Sequence, residues 1–159
     1  MFDDGRGREV LQRLLDWEDA HVSFRAAVQA VPRDLRGRVP PGFAHSLWQL
    51  VEHLRRTQRD ILDFCVASDY EEPSGMEEYW PADAAPPGDA AWDDAVAAYV
   101  ADLERLKALA ADPGVTLSDR VPNGTGQTFL RELLLVADHT AYHVGQIVQV
   151  RRALGDWSS

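Results

Sequence analysis

Apolar residues recur every three or four positions in four stretches of the chain, which is the spacing of one face of an α-helix. This pattern predicts four helices, over Glu9–Val31, Ser46–Ala67, Ala90–Ala111 and Phe129–Leu154. Pro32 follows the first stretch and Pro113 the third, as expected where helices end. The sequence therefore predicts an all-α fold of four helices.

The second predicted helix has the clearest start signal and the clearest apolar face. Ser46 and Gln49 match a capping box, in which each side chain bonds the backbone N–H of the other. One face carries the apolar side chains Leu47, Leu50, Leu54, Ile61 and Cys65. Trp48 projects away from this face, so we expect it to be available for packing on a partner chain. We interpret Cys65 as a small core residue rather than a nucleophile.

Residues 68–88 are acidic, aromatic and rich in proline, and no helical period runs through them. A connection of about twenty residues is too long for a tight antiparallel hairpin, which predicts that the second and third helices run parallel. We expect Tyr70, Tyr79 and Trp80 in this segment to cover one end of the helices. Packing explains these rings more simply than contact with substrate. Residues 115–126 are predicted to be a turn-rich connector.

Three histidines lie at the margins of predicted apolar faces. His139 and His143 are four residues apart on the last helix and therefore share one side of it. His53 occupies the equivalent position on the second helix. If these helices are neighbours, the three imidazoles can bind one divalent ion. Three protein ligands leave a coordination position open to water or substrate, as is typical of catalytic zinc-type sites.

Two segments of the sequence resemble the DinB/YfiT-like superfamily of metal-dependent enzymes. They are WQLVEHL, which ends one residue after His53, and HTAYHVGQI, which begins at His139. The residues TGQTFLRE, which end at Glu132, extend the similarity into the start of the last helix. The resemblance implies a four-helix bundle with up-down-down-up topology, a bound divalent ion such as zinc or nickel, and a homodimer. It also implies a small-molecule substrate, since some members are thiol S-transferases or glutathione-dependent isomerases.

The chain has two further histidines that require an assignment. His45 precedes the second helix and lies about two turns, or roughly 12 Å, from His53 along the axis, so both cannot readily bind one ion. We prefer His53 because the histidine of the family lies inside the helix, after the tryptophan. His45 is expected to line the mouth of the pocket. His21 is expected to be a surface or tucked histidine, because no second ligand accompanies it.

A bound divalent ion would activate either water or a thiol at neutral pH. We predict that Gln146, one turn beyond His143, orients the activated group. Glu132 and Asp138 are candidates for contacts with the ligands or for proton transfer, and we choose Glu132 as the second catalytic residue. The predicted activity is transfer of a low-molecular-weight thiol to an electrophile, or hydrolysis. A non-catalytic metal-binding or stress-associated helical protein is the alternative.

Composition limits the other classes of function. A chain of 159 residues is the length of one domain, so we predict a single domain over residues 1–159. A net charge of −10 opposes binding to the phosphate backbone of nucleic acids. Arg55, Arg56 and Arg59 are the nearest thing to a basic cluster, and we expect them to form a solvated face.

The remaining composition bears on the cellular compartment. A single cysteine excludes an internal disulfide and is typical of a reducing environment. Residues 1–8 contain no signal-peptide-like apolar run, and no stretch approaches about 18 apolar residues. We therefore expect a cytoplasmic protein that does not span the membrane.

Overall fold

A computed structural model describes residues 5–157. Residues 1–4 and 158–159 lie outside this range. The predicted domain extends over both segments, and the prediction about a signal peptide concerns residues 1–4 among others. Within it the chain is all-helical and contains five α-helices and no β-strand, namely α1 (Gly5–Leu14), α2 (Phe24–Val28), α3 (Leu47–Val66), α4 (Asp89–Ala111) and α5 (Phe129–Ala153). None of the helices in residues 5–157 is both long and apolar enough to cross a membrane.

Helix α3 begins and ends where the sequence predicts. The Ser46 side chain accepts a hydrogen bond from the Gln49 backbone N–H, and the Gln49 side chain accepts one from the Ser46 N–H, which completes the capping box. At the other end, the Asn123 side-chain amide donates to the carbonyls of Phe64 and Ala67. The connector before α5 therefore binds carbonyls that the helix itself leaves without partners.

Helix α3 contacts both of its long neighbours. The Gln58 side chain donates to the Tyr99 carbonyl of α4 at 2.7 Å, and Arg59 forms an ion pair with Asp102 of the same helix. Both contacts join the middle of α3 to the middle of α4. Asn123, just before α5, lies at the carboxyl end of α3, so α5 begins at that end.

The predicted first helix, Glu9–Val31, is wrong in its middle. Helix α1 ends at Leu14, and the chain becomes helical again only at Phe24. The Ser23 side chain accepts a hydrogen bond from the Ala26 N–H and so begins α2 as a separate helix. His21 lies exposed in the break, as expected for a histidine with no ligand role.

The long connection between α3 and α4 carries only one short 3₁₀ turn, over Met76–Tyr79. Its tyrosines are attached to α3, because the Tyr70 and Tyr79 hydroxyls donate to the two carboxylate oxygens of Asp60 at 3.0 and 2.8 Å. The shorter connector before α5 contains a single antiparallel bridge between Arg120 and Thr128.

Two expectations about the surface of α3 are wrong. Trp48 is only 5% exposed and belongs to the core cluster, so it is not available to pack on a partner chain. Of the three arginines expected to form a solvated face, Arg59 is exposed, but Arg55 and Arg56 are half-buried and both bind the buried Glu52 carboxylate, at 2.7 and 2.9 Å. Other parts of the chain cover α3 on more than one side. More of its residues are therefore buried than those on its apolar face.

Candidate metal centre

The three predicted histidines converge in the structure. His53 comes from α3, and His139 and His143 come from successive turns of α5. One ring nitrogen from each lies within 4.8 Å of the other two. Within residues 5–157 no fourth histidine, cysteine or carboxylate joins this group. The folding of α5 against α3 thus brings together side chains that are 86 residues apart.

Hydrogen bonds at the outer side of the cluster fix two of the three rings. The His53 Nδ1 lies 3.0 Å from the Tyr79 carbonyl oxygen, which can only accept, so the ring proton is on Nδ1. The His143 Nδ1 lies 2.6 Å from the Gln146 Oε1, which accepts in the same way. Each Nε2 therefore carries the lone pair. Outer-side bonds of this kind fix the tautomer and orientation of histidine ligands in metal sites.

One pair of nitrogens has nearly the spacing found in a zinc-type site. The Nε2 atoms of His53 and His139 are 3.1 Å apart. Ligand nitrogens about 2.0–2.1 Å from a tetrahedral zinc ion lie roughly 3.3 Å from each other. Because His53 has its lone pair on Nε2, the His139 Nε2 donates the proton between them. An ion bound by the three rings would occupy the position of that proton, and the proton would move to the His139 Nδ1, so the donor set fits a divalent ion.

Burial keeps the three rings neutral. Desolvation lowers the pKa of His53 to about 4, helped by the nearby His143 and His45 and opposed by the Tyr79 carbonyl. Desolvation also lowers the pKa of His139 to about 4, with His143 and His53 acting in the same direction. The pKa of His143 is lowered by burial too, although its bond to Gln146 opposes this. Neutral imidazole is the form that binds metal, so all three rings are ready to bind at neutral pH.

A tryptophan from the long connection covers the site, a role that its sequence pattern did not predict. The Trp80 indole stacks on the His53 ring with centroids 3.8 Å apart and planes 5° from parallel. It also stacks on His45, at 4.0 Å and 17°. Arg56 helps to hold this segment, since its guanidinium donates to the carbonyls of Glu78 and Trp80. The only signal in the sequence was the cluster of aromatic residues within the connection.

The structure brings one of the two predicted catalytic side chains to the histidines. Gln146 contacts His143 directly. Glu132 is buried and pairs with Arg131 at 2.7 Å. It precedes His139 by two turns, or roughly 10.5 Å along the helix axis, and is not part of the ligand group. Asp138 is exposed, with its side chain away from the buried face of α5.

His45 and Cys65 lie outside the ligand group, as the sequence predicts. His45 is half-buried and stacks on Trp80, but it does not join the three ligand nitrogens. Cys65 is buried, and desolvation raises its pKa to about 12, with a smaller contribution from Glu132 in the same direction. A thiol with so high a pKa is not a nucleophile at neutral pH. The prediction that Cys65 is a core residue is confirmed.

The helical fold and the three converging histidines are the features of a metal-binding protein. Comparison with protein families identifies the family, because the model of the DinB superfamily matches residues 16–147. The chain is therefore a member of the DinB superfamily. No curated protein and no solved structure matches it.

Proposed function

We propose that this chain is a divalent-metal-dependent enzyme whose ion is bound by His53, His139 and His143. The convergence of three neutral imidazoles, two of them fixed by outer hydrogen bonds, carries the proposal. No fourth ligand joins the group within the described residues, which supports a site with an open coordination position. Zinc and nickel are the proposed ions, since both accept imidazole nitrogen.

The proposed reaction is attack of a low-molecular-weight thiol on an electrophile, with hydrolysis as the other possibility. A bound divalent ion supplies a Lewis acid that lowers the pKa of a thiol or water towards neutrality. The protein has no thiol of its own to offer, because Cys65 is buried. Gln146 accepts from His143 through its Oε1 and donates its amide N–H to the Tyr142 hydroxyl at 3.3 Å, and its position beside His143 supports the proposed role in orienting the reacting group. The catalytic role of Glu132 stays a prediction.

A non-catalytic metal-binding protein is the alternative, and a rate measurement separates the two. Thiol consumption is followed with glutathione, bacillithiol and mycothiol against a panel of electrophiles. We expect the zinc- or nickel-loaded protein to exceed the background rate for at least one pair. His53→Ala should return that rate to background, and the exposed His21→Ala should not. Equal rates for loaded protein and His53→Ala for every pair would favour the non-catalytic alternative or hydrolysis.

Three further features belong to the proposal. An up-down-down-up bundle is proposed, and two observations support it: the amino-terminal parts of α3 and α4, including Trp48 and Ala91, line one cavity, and α5 begins at the carboxyl end of α3. A homodimer and a cytoplasmic location are proposed from the family resemblance and the single cysteine, without a role for Trp48. We propose no nucleic-acid partner, because the net charge is −10 and Arg55, Arg56 and Arg59 are paired with carboxylates.

A further inference from the structure

A cavity of about 490 Å³ opens beside the three histidines, between α5 and the residues that precede and begin α3. A volume of this size is within the usual range of small-molecule pockets. Its floor contains the buried side chains of Leu50 and Val150. Two aromatic side chains, Phe43 and Tyr142, also line it and are exposed to solvent, at 37% and 64%.

Two residues that line the cavity connect it to the histidine cluster. Gln146 lines the cavity and hydrogen-bonds the His143 ring. His45 also lines it, and stacks on the same Trp80 indole that stacks on His53. A molecule in this cavity would therefore be separated from His143 by one side chain, Gln146, and from His53 by two, His45 and Trp80.

The chemistry of the lining is unusual for this protein. Although 26% of the chain is Asp, Glu, Lys or Arg, none of the side chains that line this cavity is one of them. A second cavity, of about 550 Å³ between α3, the long connection and α4, is lined by Glu52, Arg55, Arg56, Asp83 and Asp94. The polar groups of the histidine-side cavity are the amides of Gln146 and Gln149, the His45 imidazole and the Tyr142 hydroxyl. Such a lining offers hydrogen bonds but no carboxylate, ammonium or guanidinium as counter-charge to an ionised ligand.

We infer that this cavity binds the body of an uncharged, largely apolar substrate that has a ring and a neutral hydrogen-bonding group. The inference rests on the proposed function, since it assigns the substrate class of the same site. An ionised group against the buried floor of Leu50 and Val150 would lose hydration without gaining an Asp, Glu, Lys or Arg partner of opposite charge, which is costly. The open rings of Phe43 and Tyr142 provide aromatic surface, and the two glutamines provide neutral donors and acceptors.

Benzamide and benzoate are matched probes, since they share a ring and differ in charge. Binding is measured by calorimetry or by ligand-observed NMR, on protein stripped of metal with a chelator and on zinc-loaded protein. We expect stripped protein to bind benzamide at least about tenfold more tightly than benzoate. Phe43→Ala and Tyr142→Ala should each weaken benzamide binding by about threefold or more. Val66→Ala, which removes an exposed apolar side chain at the end of α3, should leave it unchanged.

Benzoate binding to stripped protein as tightly as benzamide would overturn the inference, as would equal benzamide binding by wild type and both aromatic variants. Absence of benzamide binding would overturn it too, and loss of a dimer in Tyr142→Ala would then assign this surface to a second copy of the chain. Zinc titration of the same samples keeps the two proposals separate. Failure to bind zinc with benzamide binding intact contradicts the proposed function alone, whereas zinc binding without benzamide binding contradicts the substrate class alone.

Discussion

The indole of Trp80 lies almost parallel to the imidazole of His53, with ring centroids 3.8 Å apart. The residue before it, Tyr79, accepts the hydrogen bond from the His53 Nδ1. Two consecutive residues of the long connection thus fix both the tilt and the tautomer of a proposed ligand that comes from α3. The long connection is part of the site and not only a link between helices.

Removal of the indole should weaken metal binding. An aromatic pair contributes about 0.5–1.5 kcal/mol, so Trp80→Ala is expected to raise the Kd for zinc by roughly 2–12-fold. The Kd is measured by competition with a chelator of known affinity. Trp157→Ala is the matched control, since that indole packs on Arg151 and on none of the three histidines. The same change in Kd for both variants would contradict a specific role for Trp80.

Loss of the Gln146 amide should have a larger effect. The Gln146 Oε1 accepts from the His143 Nδ1 at 2.6 Å, and removal of such outer-side partners typically costs about 10–100-fold in metal affinity. Gln146→Leu is therefore expected to raise the Kd for zinc by at least about tenfold. Gln149→Leu, on the same helix, has no contact with the histidine rings and should change the Kd little. An unchanged Kd in Gln146→Leu would show that the hydrogen bond does not support the site.

The metal-free protein should lose stability on mild acidification. Burial lowers the pKa of His53 and His139 from an ordinary value of 6.5 to about 4. Between these pH values the unfolded chain binds more protons than the folded chain, so the free energy of unfolding falls as the pH falls through this window. Urea unfolding between pH 4 and pH 6.5, in the presence of a chelator, measures the slope.

A single variant separates this effect from the titration of carboxylates. His53→Gln removes one of the depressed histidines and retains the acidic residues of the chain. Its free energy of unfolding should therefore depend less steeply on pH than that of the wild type. Equal slopes would mean that His53 is not held in its neutral form by the fold.

The sequence predicted most of the long helices because their signals are local. The capping box at Ser46 and the apolar period that follows it depend only on neighbouring residues, and α3 has the predicted bounds. The same period continued across Leu14 and His21, where the helix is interrupted, because the pattern does not reveal the new cap at Ser23. Helical periodicity thus located α3, α4 and α5 but not the break between α1 and α2.

The convergence of the histidines could be predicted, but their surroundings could not. His53, His139 and His143 lie at the edges of two apolar faces that must pack together, so their meeting follows from helical geometry. Trp80 comes from a segment without a period, and its place depends on distant contacts such as that with Arg56. Trp48 was wrongly expected to be available to a partner chain, because residues outside the apolar face of α3 are buried as well.

Zinc stoichiometry across a set of histidine variants tests the central claim most directly. The wild type and the exposed-histidine variant His21→Ala should bind about one ion per chain with equal affinity. His53→Ala, His139→Ala and His143→Ala should each lose tight binding, because each removes one of three converging nitrogens. Circular dichroism of each variant verifies that it is folded. Undiminished stoichiometry and affinity in any folded variant of these three would contradict a metal centre formed by these histidines.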